Sequence, residues 1–379
     1  MHRDPRPRNL RGSECLGMYA TLGVRRVVNA CGIYTDLGGS VLSPSVWAAA
    51  AAANGSWAAL GELLDATGSR VAELCGAPAA RVVPGASAGI ALSVGACIAR
   101  GDGRIGEALP RVDAVVLMQR GHEYKYARCA TLAGARVEWV DEIAAALARG
   151  GACAVLHPAH LDGEALPLSV VAPLARVAGV PVVVDAAFLS YPLSELERGS
   201  TAGDVACYSA KYFGGPNAGG LVAGAAGPVA DIAALDFTGY ESGEWRTFGR
   251  AFKLDRSTIV ATLAALEEWV AMDHPARLAR SASLATGLAE RLGSLPDARV
   301  ELAQFTLDER LVSDGPVNAV LLRGREPARL EARLARGDPS VRAMAIGDAL
   351  MFCTDALGED AVDEILVALR AIWSTLDDG

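Results

Sequence analysis

At 379 residues, 51% hydrophobic and 21% charged, the chain is long enough for one large core and a second smaller one, and too apolar for a disordered protein. Its net charge of −9 excludes an extended basic surface for nucleic acid, because neutralising phosphates needs clustered Lys and Arg. No apolar run reaches the roughly 20 residues of a membrane span, and the polar start Met1-His2-Arg3-Asp4-Pro5-Arg6 leads into no signal-peptide core, so a cytoplasmic protein with no membrane partner is expected.

In chain order, a short basic run between Arg3 and Arg11 comes first, too short and Pro-containing to be a domain. Trp47 and Trp57 then flank an Ala-rich stretch, which reads either as a buried core helix or as a subunit contact. Arg81-Val82-Val83 is a short apolar strand, and Pro84-Gly85-Ala86-Ser87-Ala88-Gly89-Ile90-Ala91-Leu92 opens a helix running to about Arg100. Small residues such as Ser87, Ala88 and Gly89 at a helix start leave N–H groups and a favourable dipole for a phosphate. The same pattern also serves as a plain cap.

A strand over residues 112–117 is followed by Gln119-Arg120-Gly121-His122-Glu123-Tyr124, where His122 reads as a ring that stacks on a planar ligand or as a hydrogen-bonded loop histidine. Apolar runs at 137–140, 153–156 and 180–184 alternate with helical periods at 124–132, 143–149 and 168–177. Such alternation predicts βαβ units in a mostly parallel sheet. A helix over 258–272 is expected to link to a smaller domain with strands at 317–322 and 349–352 and helices at 326–335 and 361–373. The eight cysteines show no CxxC spacing, so neither a metal site nor a disulfide framework is indicated.

Two positions carry the chemistry. Val182-Val183-Val184-Asp185 is a buried strand ending in a carboxylate, and Tyr208-Ser209-Ala210-Lys211 precedes the Gly-rich stretch Gly214-Gly215-Pro216-Asn217-Ala218-Gly219-Gly220. A lysine amine holds an aldehyde as a Schiff base, while a carboxylate keeps a pyridine nitrogen protonated, so the pair predicts a pyridoxal 5'-phosphate (PLP) site. Ser209 offers a hydroxyl for a phosphate oxygen. The chain has only three lysines, and neither Lys125 nor Lys253 follows the strand-end Asp at a matching distance.

The order helix start, His122, Asp185, Lys211 resembles fold-type I PLP enzymes, the aspartate aminotransferase superfamily. Leu22-Gly23-Val24-Arg25-Arg26-Val27-Val28-Asn29-Ala30-Cys31-Gly32, Thr35-Asp36-Leu37-Gly38-Gly39-Ser40, Ser209-Ala210-Lys211 with Gly214-Gly215-Pro216, Gly249-Arg250-Ala251-Phe252-Lys253-Leu254 and Gly337-Asp338-Pro339 resemble the selenocysteine synthase-like family. That family contains L-seryl-tRNA(Sec) selenium transferase and D-glucosaminate-6-phosphate ammonia-lyases.

The resemblance implies an α/β fold of aspartate aminotransferase-like type I, with a large domain carrying a mostly parallel sheet and a smaller C-terminal α/β domain. The expected division is an N-terminal extension over 1–20, a PLP-binding domain over 21–257, and a linking helix with small domain over 258–379. Ser87, Ala88, Gly89, His122, Asp185, Ser209 and Lys211 are the implied cofactor-binding residues, with Lys211, His122 and Asp185 catalytic. A homodimer or higher homo-oligomer is implied as well. The selenium transferases carry an additional N-terminal domain that engages tRNA, whereas the motifs here begin at Leu22, so tRNA is not the expected substrate.

The expected substrate is a small amino acid or amino sugar acid. The expected reaction is β-elimination of the ammonia-lyase type or β-replacement; racemisation, transamination and selenium transfer on seryl-tRNA are the alternatives. Arg250, Lys253 and Arg256 read either as anion ligands or as a solvated helix start. Relatives carry an Arg after the Gly-Asp-Pro segment and an acid and an Arg near the following strand. Met344 and Cys353-Thr354-Asp355 occupy those places here, leaving Arg342 as the candidate substitute.

Overall fold

The computed structural model describes residues 18–374. The basic run between Arg3 and Arg11, and nearly all of the extension expected over 1–20, lie outside the described residues. The chain divides into two compact units, Gly38–Met272 and a second made of the residues up to Leu37 together with Asp273 onward. The boundary therefore falls at Met272 rather than at residue 257, and the first strand, β1 (Val27–Asn29), belongs to the smaller unit.

The larger unit is built on seven strands: β2 (Ala79–Val83), β3 (Ala114–Gln119), β4 (Ala135–Val140), β5 (Ala152–Pro158), β6 (Val182–Asp185), β7 (Val205–Ser209) and β8 (Gly220–Gly224). Their order is β2-β8-β7-β6-β5-β3-β4. β8 pairs antiparallel with both β2 and β7, and the other pairings are parallel. The sheet is thus mostly parallel, as the alternation predicts. Apart from the edge strand β4, its strands are largely buried on both faces, which explains apolar runs such as Val182-Val183-Val184 where a half-exposed strand would alternate.

One face packs through Val116, Leu156, Val183 and Cys207, the other through Leu117, Val155, Val184 and Tyr208. All strands but β8 run the same way, so the carboxyl ends of β2, β3, β5, β6 and β7 open on one edge, where ligands bind in such sheets.

The helix Gly85–Ala99 is buried along almost its whole length, as expected of a helix that is apolar all round. Its small residues let it lie close to the sheet: a Cβ on Gly89 would stand 3.1 Å from Val222 and 3.3 Å from Val83. On the opposite face, the helix Arg256–Ala271 starts from an Asp255 cap that accepts from the Thr258 N–H. It packs on the helices Pro44–Asn54 and Leu60–Cys75, so the helix expected to lead into the small domain is an integral layer of the large one.

Trp47 and Trp57 are 64% and 92% exposed, which removes the buried-helix reading of their segment. That helix buries only Val46 and Ala50. Among the described residues no helix is long and apolar enough to cross a membrane.

The smaller unit has the strands β9 (Arg299–Phe305), β10 (Leu311–Val312), β11 (Ala319–Arg323), β12 (Ser340–Arg342), β13 (Met344–Ile346) and β14 (Ala349–Cys353). Five of them form a sheet in the order β10-β9-β11-β14-β13, and β12 pairs parallel with β1. Val28 and Ala30 join Leu288, Leu322, Val341 and Phe352 in one core, so the two ends of the described chain close the same unit.

Candidate active site

Asp185 ends β6 and is 3% exposed. Its Oδ1 accepts from the Ala187 N–H at 3.0 Å and its Oδ2 from the Tyr124 hydroxyl at 3.0 Å. Burial raises the carboxyl's pKa, while the Ala187 N–H, the neighbouring His160 and the Tyr124 hydroxyl oppose that rise. A buried carboxylate that keeps two donors is a stable seat for a protonated ring nitrogen.

Lys211 follows on the adjacent strand β7, in the short 3-10 turn Ala210–Phe213, and is 8% exposed. Its Nζ lies 4.8 Å from the centre of the Tyr212 ring. Several contacts fix this loop. The Gly215 N–H donates to Ala210 O at 2.7 Å and the Ala210 N–H to Gly219 O at 3.0 Å. Ser40 donates to Gly215 O at 2.6 Å, and Ser190 to Tyr212 O at 2.8 Å. The Trp269 indole N–H in turn donates to Ser190 O at 2.8 Å. The segment Gly38-Gly39-Ser40 therefore braces the lysine loop, and Gly39, at φ +75°, lies so close that a Cβ there would meet Asn217 at 2.7 Å.

The helix Gly85–Ala99 begins at the carboxyl end of β2 with no side-chain cap on its first turn. Gly220 makes this position possible: a Cβ there would stand 2.6 Å from Gly85 Cα. Ala88 and Gly89 are buried in the helix, whereas Ser87 is exposed and hydrogen-bonds the Cys129 thiol. Ser209 ends β7 at 8% exposure. Ser87, Ala88, Gly89, Asp185, Ser209 and Lys211 thus share the carboxyl edge of one sheet.

His122 departs from the expected placement. It is fully buried, edge-on to His157 with ring centres 4.8 Å apart, and neither ring nitrogen makes a hydrogen bond of good geometry. Burial, reinforced by His157, pushes its pKa down to about 4. A ring with no accessible surface offers no face to a ligand. The rings beside Asp185 are instead Tyr124 and His160, 5.7 Å apart, with His160 5.0 Å from Phe188 and Phe188 5.8 Å from Tyr212.

Sequence reasoning missed both Tyr124 and His160. β5 extends to Pro158, past the run read at 153–156, which brings His160 just beyond a strand end. That was the available signal. Tyr124 lay in the motif already singled out, but the 3-10 turn Arg120–His122 sends His122 inward.

The basic candidates are scattered. Arg250 pairs with Glu241 at 2.6 Å, and Lys253 is exposed. Arg256 donates to Ala53 O at 3.0 Å and to Asn54 O at 3.3 Å, and its guanidinium lies 4.9 Å from the Trp57 ring centre. It therefore closes the end of the helix Pro44–Asn54, which explains its place without an anion. Arg342 ends β12 opposite Asn29 in the smaller unit and is exposed. Among the described residues no His, Cys, Asp and Glu cluster suited to a metal ion occurs.

No protein-family model matches the chain. It is 31% identical over 351 residues to a 5'-C-glycyluridine monooxygenase-decarboxylase of a Streptomyces species, a match covering 85% of this chain and 83% of that protein. It is 27% identical over 307 residues to the D-glucosaminate-6-phosphate ammonia lyase of Salmonella typhimurium, covering 76% and 78%. A solved D-glucosaminate-6-phosphate ammonia-lyase superposes with a TM-score of 0.81 at 22% identity, over 95% of this chain and 99% of that one. The SepCysS–SepCysE N-terminal domain complex gives 0.55 at 12% identity, again over 95% and 99%.

Proposed function

The chain belongs to the selenocysteine synthase-like family of fold-type I PLP-dependent enzymes, and from that premise we propose that it binds pyridoxal 5'-phosphate at Lys211 and Asp185 and acts at Cα and Cβ of a small amino acid or amino sugar acid. The observation that carries this reading is the buried Asp185 carboxylate held by two donors, with a buried lysine after the neighbouring strand. The donor set suits the cofactor: an amine for the aldehyde, a carboxylate for the ring nitrogen, and an uncapped helix start with the Ser87 and Ser209 hydroxyls for the phosphate.

When bound, the cofactor supplies an electron sink for a bond broken at Cα. Asp185 would hold the proton on the ring nitrogen. The free N–H groups of the uncapped first turn of the helix Gly85–Ala99, with the Ser87 and Ser209 hydroxyls, would hold the phosphate. Lys211 Nζ would hold the aldehyde and, as a free amine, would be the base placed to take a proton from Cα. The close packing of Tyr212, Phe188 and His160 limits water around the amine.

We favour β-elimination, in which the substrate loses its β-substituent and ends as a keto acid and ammonia; the ammonia-lyase relative supports it. The 31% relative, by its name a monooxygenase-decarboxylase, supports a second reading, in which the amino acid consumes dioxygen and loses its carboxyl group as carbon dioxide. A panel of β-substituted and glycyl-type amino acids, assayed with PLP for ammonia, carbon dioxide and oxygen uptake, separates the two. Ammonia with keto acid and no oxygen uptake supports elimination. Equimolar oxygen uptake and carbon dioxide supports the second reading, and exchange of the Cα proton alone points to a racemase or aminotransferase. The site is proposed to work in a homodimer, and sedimentation at twice the chain mass is the expected result.

A further inference from the structure

Tyr124 reaches Asp185 from a different part of the sheet. It follows β3, which is separated from β6 by β5, yet its hydroxyl donates to Asp185 Oδ2 at 3.0 Å. Its ring is held between Tyr126, 5.9 Å away, and His160, 5.7 Å away, and His160 is backed by Phe188 at 5.0 Å. The phenol therefore has little room to swing aside. Burial and the adjacent Asp185 keep it protonated far above the ordinary tyrosine range, so it donates throughout the working pH range. The Ala187 N–H occupies the other oxygen. Each oxygen has two lone pairs, so one on each stays open to a ring nitrogen.

We propose that Tyr124 is a positioning residue that fixes the orientation and charge of the Asp185 carboxylate for the cofactor's ring nitrogen. Without the phenol, Oδ2 of a buried carboxylate loses a charge-assisted donor, the carboxyl is freer to rotate, and its neutral form gains ground. The inference rests on the PLP reading above and adds to it a residue assigned by geometry alone.

The test is a PLP titration, followed by absorbance, of wild type, Tyr124→Phe, Asp185→Asn, the double variant, and Tyr126→Phe as a control. Thermal unfolding of each apoprotein reports whether it folds. Tyr124→Phe is expected to weaken PLP binding about tenfold, the size of one lost hydrogen bond to a charged group, and to change the bound cofactor's spectrum in the same direction as Asp185→Asn. Tyr126→Phe is expected to match wild type. In the Asp185→Asn background, Tyr124→Phe is expected to add little, because its effect passes through that carboxylate.

Wild-type affinity and spectrum in a folded Tyr124→Phe protein would overturn the inference while leaving the PLP reading intact, as would fully additive losses in the double variant. If Tyr124→Phe does not fold, the Asp185→Asn spectrum decides: one identical to wild type overturns it. Failure of wild type to bind PLP would remove the PLP reading, and this inference with it.

Discussion

Single residues at the carboxyl edge of the sheet divide into those the chain's chemistry announced and those only the fold reveals. Asp185 and Lys211 stood out in the sequence through their order and setting, a carboxylate ending a run of three valines and then a lysine before a Gly-rich stretch, and the fold sets them after adjacent strands. His122 was misjudged because one turn of 3-10 helix decides whether a side chain enters the cleft or the core, and no periodicity records that choice. Its burial has a consequence for stability. In the unfolded chain the imidazole protonates near pH 6.5, in the folded chain only near 4. The folded state is thus fully favoured above pH 6.5 and loses stability as pH falls through that window, by a few kcal/mol at most, at about 1.36 kcal/mol per unit. His122→Phe is expected to flatten the slope of unfolding free energy between pH 4 and 6.5. An unchanged slope in denaturant melts would show that other groups carry it.

Among elements, the helix Gly85–Ala99 and the strands β7 and β8 form the scaffold of the phosphate end. The packing of that helix depends on glycine where β8 begins: a Cβ on Gly220 would strike Gly85 Cα at 2.6 Å and Tyr208 O at 2.7 Å. Because those neighbours are backbone, Gly220→Ala is expected to destabilise by roughly 1–3 kcal/mol and to weaken PLP binding; a variant with wild-type stability and affinity would refute the close approach. Arg256→Ala gives the contrasting case. Loss of its bonds to Ala53 O and Asn54 O is expected to cost about 1 kcal/mol in urea melts, with PLP affinity unchanged. The helices Ile143–Arg149 and Leu168–Val177 matched their sequence periods at both ends. β8, Gly-bounded and short, carried no such signal and was missed.

At the level of the molecule, the alternation of strands and helices made the mostly parallel sheet legible, whereas the composition of the smaller unit was not. β1 is three residues long and pairs with a strand more than 300 residues later, Val27 opposite Ser340, and nothing local in Val27-Val28-Asn29 names that partner. Val28 is 3% exposed in the shared core, so Val28→Asp is expected to destabilise by at least about 3 kcal/mol through an unpaired buried charge. A variant with the wild-type melting temperature would contradict that closure. The central claim is that Lys211 anchors PLP at a carboxylate seat on the sheet edge. The most direct measurement is the absorbance of wild type and Lys211→Ala, each titrated with PLP and then reduced with borohydride, followed by peptide mass analysis. A visible band in wild type, trapped on the peptide containing Lys211 and absent from the variant, is the expected result. A wild-type protein that gains no such band, or that traps PLP equally on Lys125 or Lys253, would contradict it.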